Sequence, residues 1–136
     1  HASGLVQGII VSNHGGRQTD FARPSIVCLQ DITERFRSKN ISYNDNKFDV
    51  FMDGGIRRGT DIFKALALGA KAVGVGRPTV YALASYGPQG VEHLVDLLTD
   101  ELQMTMRHLG CLKLAEITPD SLSIGSEPVF RRLNKL

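Results

Sequence analysis

The sequence predicts an α/β fold: the last three βα units of an eight-stranded (β/α)8 TIM barrel, followed by a C-terminal tail. Three observations carry this. Three short apolar runs each lead into a helical pattern, an order that demands parallel strands with helices outside. The units fill about 110 residues, so eight would need roughly 290, inside the usual barrel range. Ser12 to His14, Asp53 to Gly55 and Gly76-Arg77 all fall just past the end of a strand, where barrel enzymes build their sites.

Leu5 to Val11, with β-branched Val6, Ile9, Ile10 and Val11, reads as a buried strand ending at Ser12-Asn13-His14-Gly15-Gly16. Pro24, lacking an N–H, opens a helix whose Ile26, Leu29, Ile32 and Phe36 share one face; it ends near Lys39. Ser38 to Lys47 is polar and reads as an exposed loop, and its Asn40-Ile41-Ser42 sequon is read as chance. Phe48 to Met52 is the second strand, stopped by Asp53-Gly54-Gly55. Thr60 or Asp61 caps the helix that runs through Leu68 to Gly69. Ala72 to Val75 is the third strand. The long helix after Gly76-Arg77-Pro78 keeps a helical period through Val91, Leu94, Val95, Leu98, Leu102, Met106 and Leu109, with Gly110 as its stop. Leu114 to Leu122 holds one short helix; residues 1–122 are the barrel part and 123–136 the tail. An opening at His1 without Met, already close to an apolar run, predicts a piece of a longer protein.

Composition excludes several classes. With 42% hydrophobic and 22% charged residues among 136, the chain is an ordinary globular one, and no apolar run approaches the roughly 18 residues of a membrane helix. Sixteen Lys and Arg against 14 Asp and Glu, interspersed, argue against nucleic acid or a membrane surface as partner. Cys28 and Cys111 form no C-x-x-C, so neither a disulfide framework nor a metal site is indicated, and a reducing compartment fits best. Secretion has no support.

In a barrel, Arg57 and Gly76-Arg77 converge on one spot with glycine-rich backbone, which suits a phosphate: glycine allows close approach and arginine adds forked charged donors. Against this stands a plain tight turn with solvated arginines, of about equal weight on the residues alone. Gly74-Val75-Gly76-Arg77-Pro78-Thr79 lacks the third glycine of a dinucleotide fingerprint. His14 with Arg17 pairs an imidazole with a guanidinium at a strand end, which fits proton removal from a substrate whose carboxylate the arginine holds. His93 and His108 read as structural or solvated.

The run Ser12-Asn13-His14-Gly15-Gly16-Arg17-Gln18, then Asp53-Gly54-Gly55-Ile56-Arg57-Arg58-Gly59-Thr60-Asp61, then Gly76-Arg77-Pro78 closely resembles the FMN-dependent 2-hydroxy acid dehydrogenases and oxidases, over about residues 5 to 122. The family includes glycolate oxidase, lactate oxidase and flavocytochrome lactate dehydrogenase. The resemblance implies an FMN flavoprotein on a TIM barrel that oxidises a short L-2-hydroxy acid, lactate first, to the 2-keto acid. It implies His14 as catalytic base, Arg17 on the substrate carboxylate, Ser12 against the flavin, and Asp53, Gly54, Gly55, Ile56, Arg57, Gly76 and Arg77 on the FMN ribityl and phosphate. Thr19 departs from the family's usual leucine. Other family residues, namely tyrosines, an aspartate orienting the histidine and a lysine near the flavin, would precede His1, so the piece alone is expected to be inactive. Met104 to Gly110 and Ala115 to Asp120 look more like the flavocytochrome type. Asn134-Lys135-Leu136 resembles a degenerate peroxisomal address and suits an oxidase. The electron acceptor is therefore oxygen or cytochrome c and the location mitochondrial or peroxisomal. Homo-oligomerisation and a non-catalytic flavin- or phosphate-binding barrel stay open.

Overall fold

The computed structural model describes residues 6–45 and 48–123. Three strands, β1 (Gly8–Val11), β2 (Asp49–Met52) and β3 (Ala72–Val73), form one parallel sheet in the order β1-β2-β3. Helices α1 (Ser25–Ser38), α2 (Gly59–Ala67) and α3 (Arg77–His108) follow them in turn. The strand–helix alternation read from the apolar runs is therefore present. The tail beyond Ser123, with its Asn134-Lys135-Leu136 ending, lies outside the described residues, as do the start of the first predicted strand at Leu5 and the end of the polar loop at Lys47.

Register assigns the faces. Val11, Met52 and Val73 stand side by side, as do Ile10, Phe51 and Ala72. Side chains alternate along a strand, so these rows occupy opposite faces. The Val11 row, with Val50, packs against Leu29 of α1 and Ala65 and Leu68 of α2 in one cluster. Val50, Met52 and Leu29 are at most 1% exposed, each contributing about 1.5–3 kcal/mol by burial. The opposite row is largely open: Ile10 is 67% exposed and Ala72 is exposed, with half-buried Phe51 between them.

Four local readings are corrected. Helix α1 begins at Ser25, with Pro24 as the extended residue before it. Neither Thr60 nor Asp61 caps α2 from its boundary: Asp61 lies inside the first turn and its Oδ2 accepts from the Arg57 and Arg58 N–H groups, each at 3.1 Å. Leu114 to Leu122 forms two single 3-10 turns, Leu114–Glu116 and Pro119–Ser121, because Pro119 opens the second without an N–H and holds Thr118 before it extended. The third helix begins at Arg77 and breaks at Gly87, whose φ of 66° and ψ of −156° end one rod before Pro88 starts the next. The outer rod rests on α2: Met106 packs with Phe63 and Ala67, and Leu102 against them. Contact with one helix needs only a narrow stripe, so Val95 and Leu109, expected in the face, are exposed.

Candidate active site

The chain turns immediately after β1. His14, Gly15 and Gly16 have φ of 54°, 73° and 72°, a left-handed run that glycine tolerates freely and histidine uncommonly. Local bonds support it: the His14 N–H donates to Ser12 Oγ at 3.0 Å and the Gly16 N–H to the Asn13 carbonyl at 2.9 Å. This turn brings His14 and Arg17 to a cavity of about 290 Å³ at the strand ends, where Asp53 to Arg57 and Gly74 to Pro78 form the other walls.

The first two loops are locked together beneath that cavity. Ser25, 2% exposed at the start of α1, accepts the Asn13 N–H at 2.9 Å. Gly54 has φ +85°, and a Cβ there would stand 2.5 Å from Asn13 Oδ1 and 2.8 Å from Ser25 Oγ. Glycine is thus required twice, by conformation and by space.

The two helix N-termini nearby differ. At α2 the Arg57 and Arg58 N–H groups are held by Asp61, and the Gly59 N–H donates to Glu101 Oε2 at 2.7 Å. Two carboxylates already satisfy that end. No side chain caps α3, and Pro78 brings no N–H to its first turn. The Thr79 N–H donates to the Gly76 carbonyl at 3.0 Å, so of the first three helical residues only Arg77 has an N–H left to offer. The α3 end, with Gly76 and Arg77, is the one open to an external anion.

Charge agrees. Among the described residues Arg58 pairs with Glu101 at 3.0 Å, whereas Arg17, Arg57 and Arg77 form no ion pair with a carboxylate. These three guanidinium groups and the single carboxylate of Asp53 line the cavity. Arg77 Nη2 donates to the Gly15 carbonyl at 3.1 Å, bridging the third loop to the first. A Cβ on Gly55 or Gly76 would meet no atom within 4 Å, so both glycines leave room beside the cationic groups for a phosphate-bearing molecule. The donor set and the cradle fit the phosphate end of FMN.

Of the residues singled out from sequence, His14, Arg17, Asp53, Gly54, Gly55, Ile56, Arg57, Gly76 and Arg77 line the cavity. Ser12 lies outside the lining, its hydroxyl engaged with the His14 N–H. Sequence reasoning missed Ser25 beneath Asn13 and the carboxylate of Glu101 at the start of α2, since neither lies near its partner in sequence. Asp61 carries a signal, an acidic residue in a first helical turn, although it acts from inside that turn and not at the boundary.

A family model described as "FMN-dependent dehydrogenase" matches residues 2–124. The L-lactate dehydrogenase (cytochrome) of Wickerhamomyces anomalus is 48% identical over 121 residues, 89% of this chain and 21% of that protein. Glycolate oxidase 1 of Zea mays is 50% identical over 111 residues, 82% and 28% respectively. The solved flavin-binding domain of baker's yeast flavocytochrome b2 superposes with a TM-score of 0.79 at 42% identity, covering 95% of this chain and 34% of that one. The chain thus spans about a third or less of the length of these relatives, and its three units are part of a (β/α)8 barrel. With a match over residues 2–124 and this superposition, the chain belongs to the family of FMN-dependent dehydrogenases.

Proposed function

We propose that the protein of which these residues form part oxidises a short L-2-hydroxy acid to the 2-keto acid with FMN, with L-lactate ahead of glycolate. The observation that supports this reading is the single cavity lined by His14, Arg17, Arg57 and Arg77 together with Gly55 and Gly76. FMN, when bound, accepts the two electrons released as the alcohol becomes a ketone. Arg77, Arg57 and Gly76 hold its phosphate and Asp53, Gly54, Gly55 and Ile56 its ribityl chain. Arg17 grips the substrate carboxylate with a forked pair of donors, which fixes the hydroxyl-bearing carbon near His14. His14 accepts a proton as that carbon is oxidised. The Ser12 hydroxyl accepts the His14 N–H and so supports the histidine's turn, and its contact with the flavin belongs to the same proposal.

The names of the relatives point to two electron acceptors, a cytochrome and, for the oxidases, oxygen. An intracellular site, mitochondrial for the first or peroxisomal for the second, accompanies this reading, as does a domain boundary near Leu122. The test is anaerobic mixing of the full-length protein with L-lactate, D-lactate and glycolate, followed by flavin absorbance, then admission of oxygen or cytochrome c. Bleaching by an L-acid or glycolate is expected. Bleaching by none would leave a flavin-binding barrel without chemistry; reoxidation by oxygen or only by cytochrome c assigns the acceptor.

A further inference from the structure

The Arg77 to Gly15 hydrogen bond joins two loops that the proposed function gives separate tasks, and the following rests on that reading. The His14–Gly16 turn is exposed at its tip and its other hydrogen bonds are local, to Ser12 and Asn13. Arg77 supplies its long-range tie, across 62 positions of sequence. Arg17 approaches the same glycine: a Cβ on Gly15 would lie 3.6 Å from Arg17 Nε and 3.8 Å from Arg77 Nη2. Two like charges thus flank one backbone unit, with no carboxylate paired to either among the described residues. An anion beside Arg77 relieves that repulsion.

Guanidinium has five N–H donors in a rigid plane. One reaches the Gly15 carbonyl, and others stay free for a phosphate in the cavity. We infer that Arg77 is a positioning residue for His14: a phosphate held by Arg77 fixes the guanidinium, the guanidinium fixes the Gly15 carbonyl, and the adjacent His14 is set for proton transfer. Cofactor occupancy thereby orders the base, although the two sit on different strands.

The experiment compares full-length wild type with Arg77→Lys and Arg77→Met, apo and with saturating FMN. Amide hydrogen exchange is followed at residues 14–17, with residues 98–106 of the outer rod, away from the cavity, as control. FMN is expected to slow exchange at 14–17 by about tenfold or more in wild type, and flavin-loaded Arg77→Lys to lose about that much of the protection with 98–106 unchanged. Equal protection at 14–17 in the loaded proteins overturns the inference. In a positioning role, the limiting rate of flavin reduction by L-lactate in loaded Arg77→Lys falls about tenfold while the L-lactate dissociation constant, set by Arg17, moves less than about threefold. A rate within about threefold of wild type also overturns it. Failure of wild type to bind FMN would instead remove the proposed function. The apo comparison still decides the tie itself: Arg77→Met is expected to exchange faster at 14–17, and equal rates overturn it.

Discussion

Glu101 accepts the Gly59 N–H at 2.7 Å and pairs with Arg58 at 3.0 Å, so an acidic residue of the outer helix closes the N-terminus of α2. Gly59 allows this, because a Cβ there would collide with the Leu102 backbone. With that end satisfied, α3 is left as the terminus open to the cavity. Glu101→Ala should destabilise the full-length protein by about 0.5–2 kcal/mol, the usual loss for a helix cap, seen as a lower urea midpoint. Glu101→Gln, which keeps the acceptor, should recover part of it.

FMN retention should depend on the unpaired cations. Arg57→Ala or Arg77→Ala is expected to weaken binding by about 1.5–3 kcal/mol, the contribution of a charge-assisted hydrogen bond, roughly a tenfold to hundredfold rise in Kd. Titration of the apoprotein with FMN, followed by flavin fluorescence, measures this. Lys at either position should restore only part, since it offers a point charge in place of a fork.

His14→Gln should keep FMN but reduce it slowly, with a loss of about 10²–10⁴-fold in the anaerobic rate, the range for removing a general base. Arg17→Lys should act mainly on the substrate concentration needed for half-maximal rate. A His14→Gln protein reduced at the wild-type rate would remove the histidine from the chemistry.

The lock beneath the cavity should be stability-critical. Ser25→Ala leaves the half-buried Asn13 N–H without its acceptor, at a cost of about 1 kcal/mol or more. Gly54→Ala should be worse, since it combines a left-handed backbone with overlap on Asn13 and Ser25. Thermal unfolding of the full-length variants ranks them.

The 136 residues alone should self-associate, because β1 and β3 are sheet edges and the Ile10 row is largely open. Sedimentation should show species larger than a monomer, and Ile10→Lys should shift them toward monomer. A monodisperse monomer with cooperative unfolding would show that the three units form a self-sufficient domain.

Much of this architecture was legible because its causes are local. Leu29 is buried where the helical spacing puts it, and Gly69 and Gly110 close their helices at φ of 106° and 73°. The cavity's cationic and glycine residues were legible through motif and strand-end position. What escaped is long-range: Ser25 under Asn13, Glu101 on Gly59, and the seating of α3 on α2. The break at Gly87-Pro88 is different, since a Gly-Pro pair is a local punctuation mark. The apolar period that marks the long helix starts only at Val91, so it carries no sign of the rod from Arg77 to Tyr86.

That break divides one long helix between two supports. An unbroken helix of this length would be a lever, carrying any bend or shift at the Met106 end to Arg77 at the other. With Gly87 turning the chain between them, the outer rod takes its seat on α2 through Met106 while the inner rod presents Arg77 to the cavity. The rods still meet at Gly90, where a Cβ would overlap the Ala82 carbonyl, so the break lets one helix serve two directions without parting its halves.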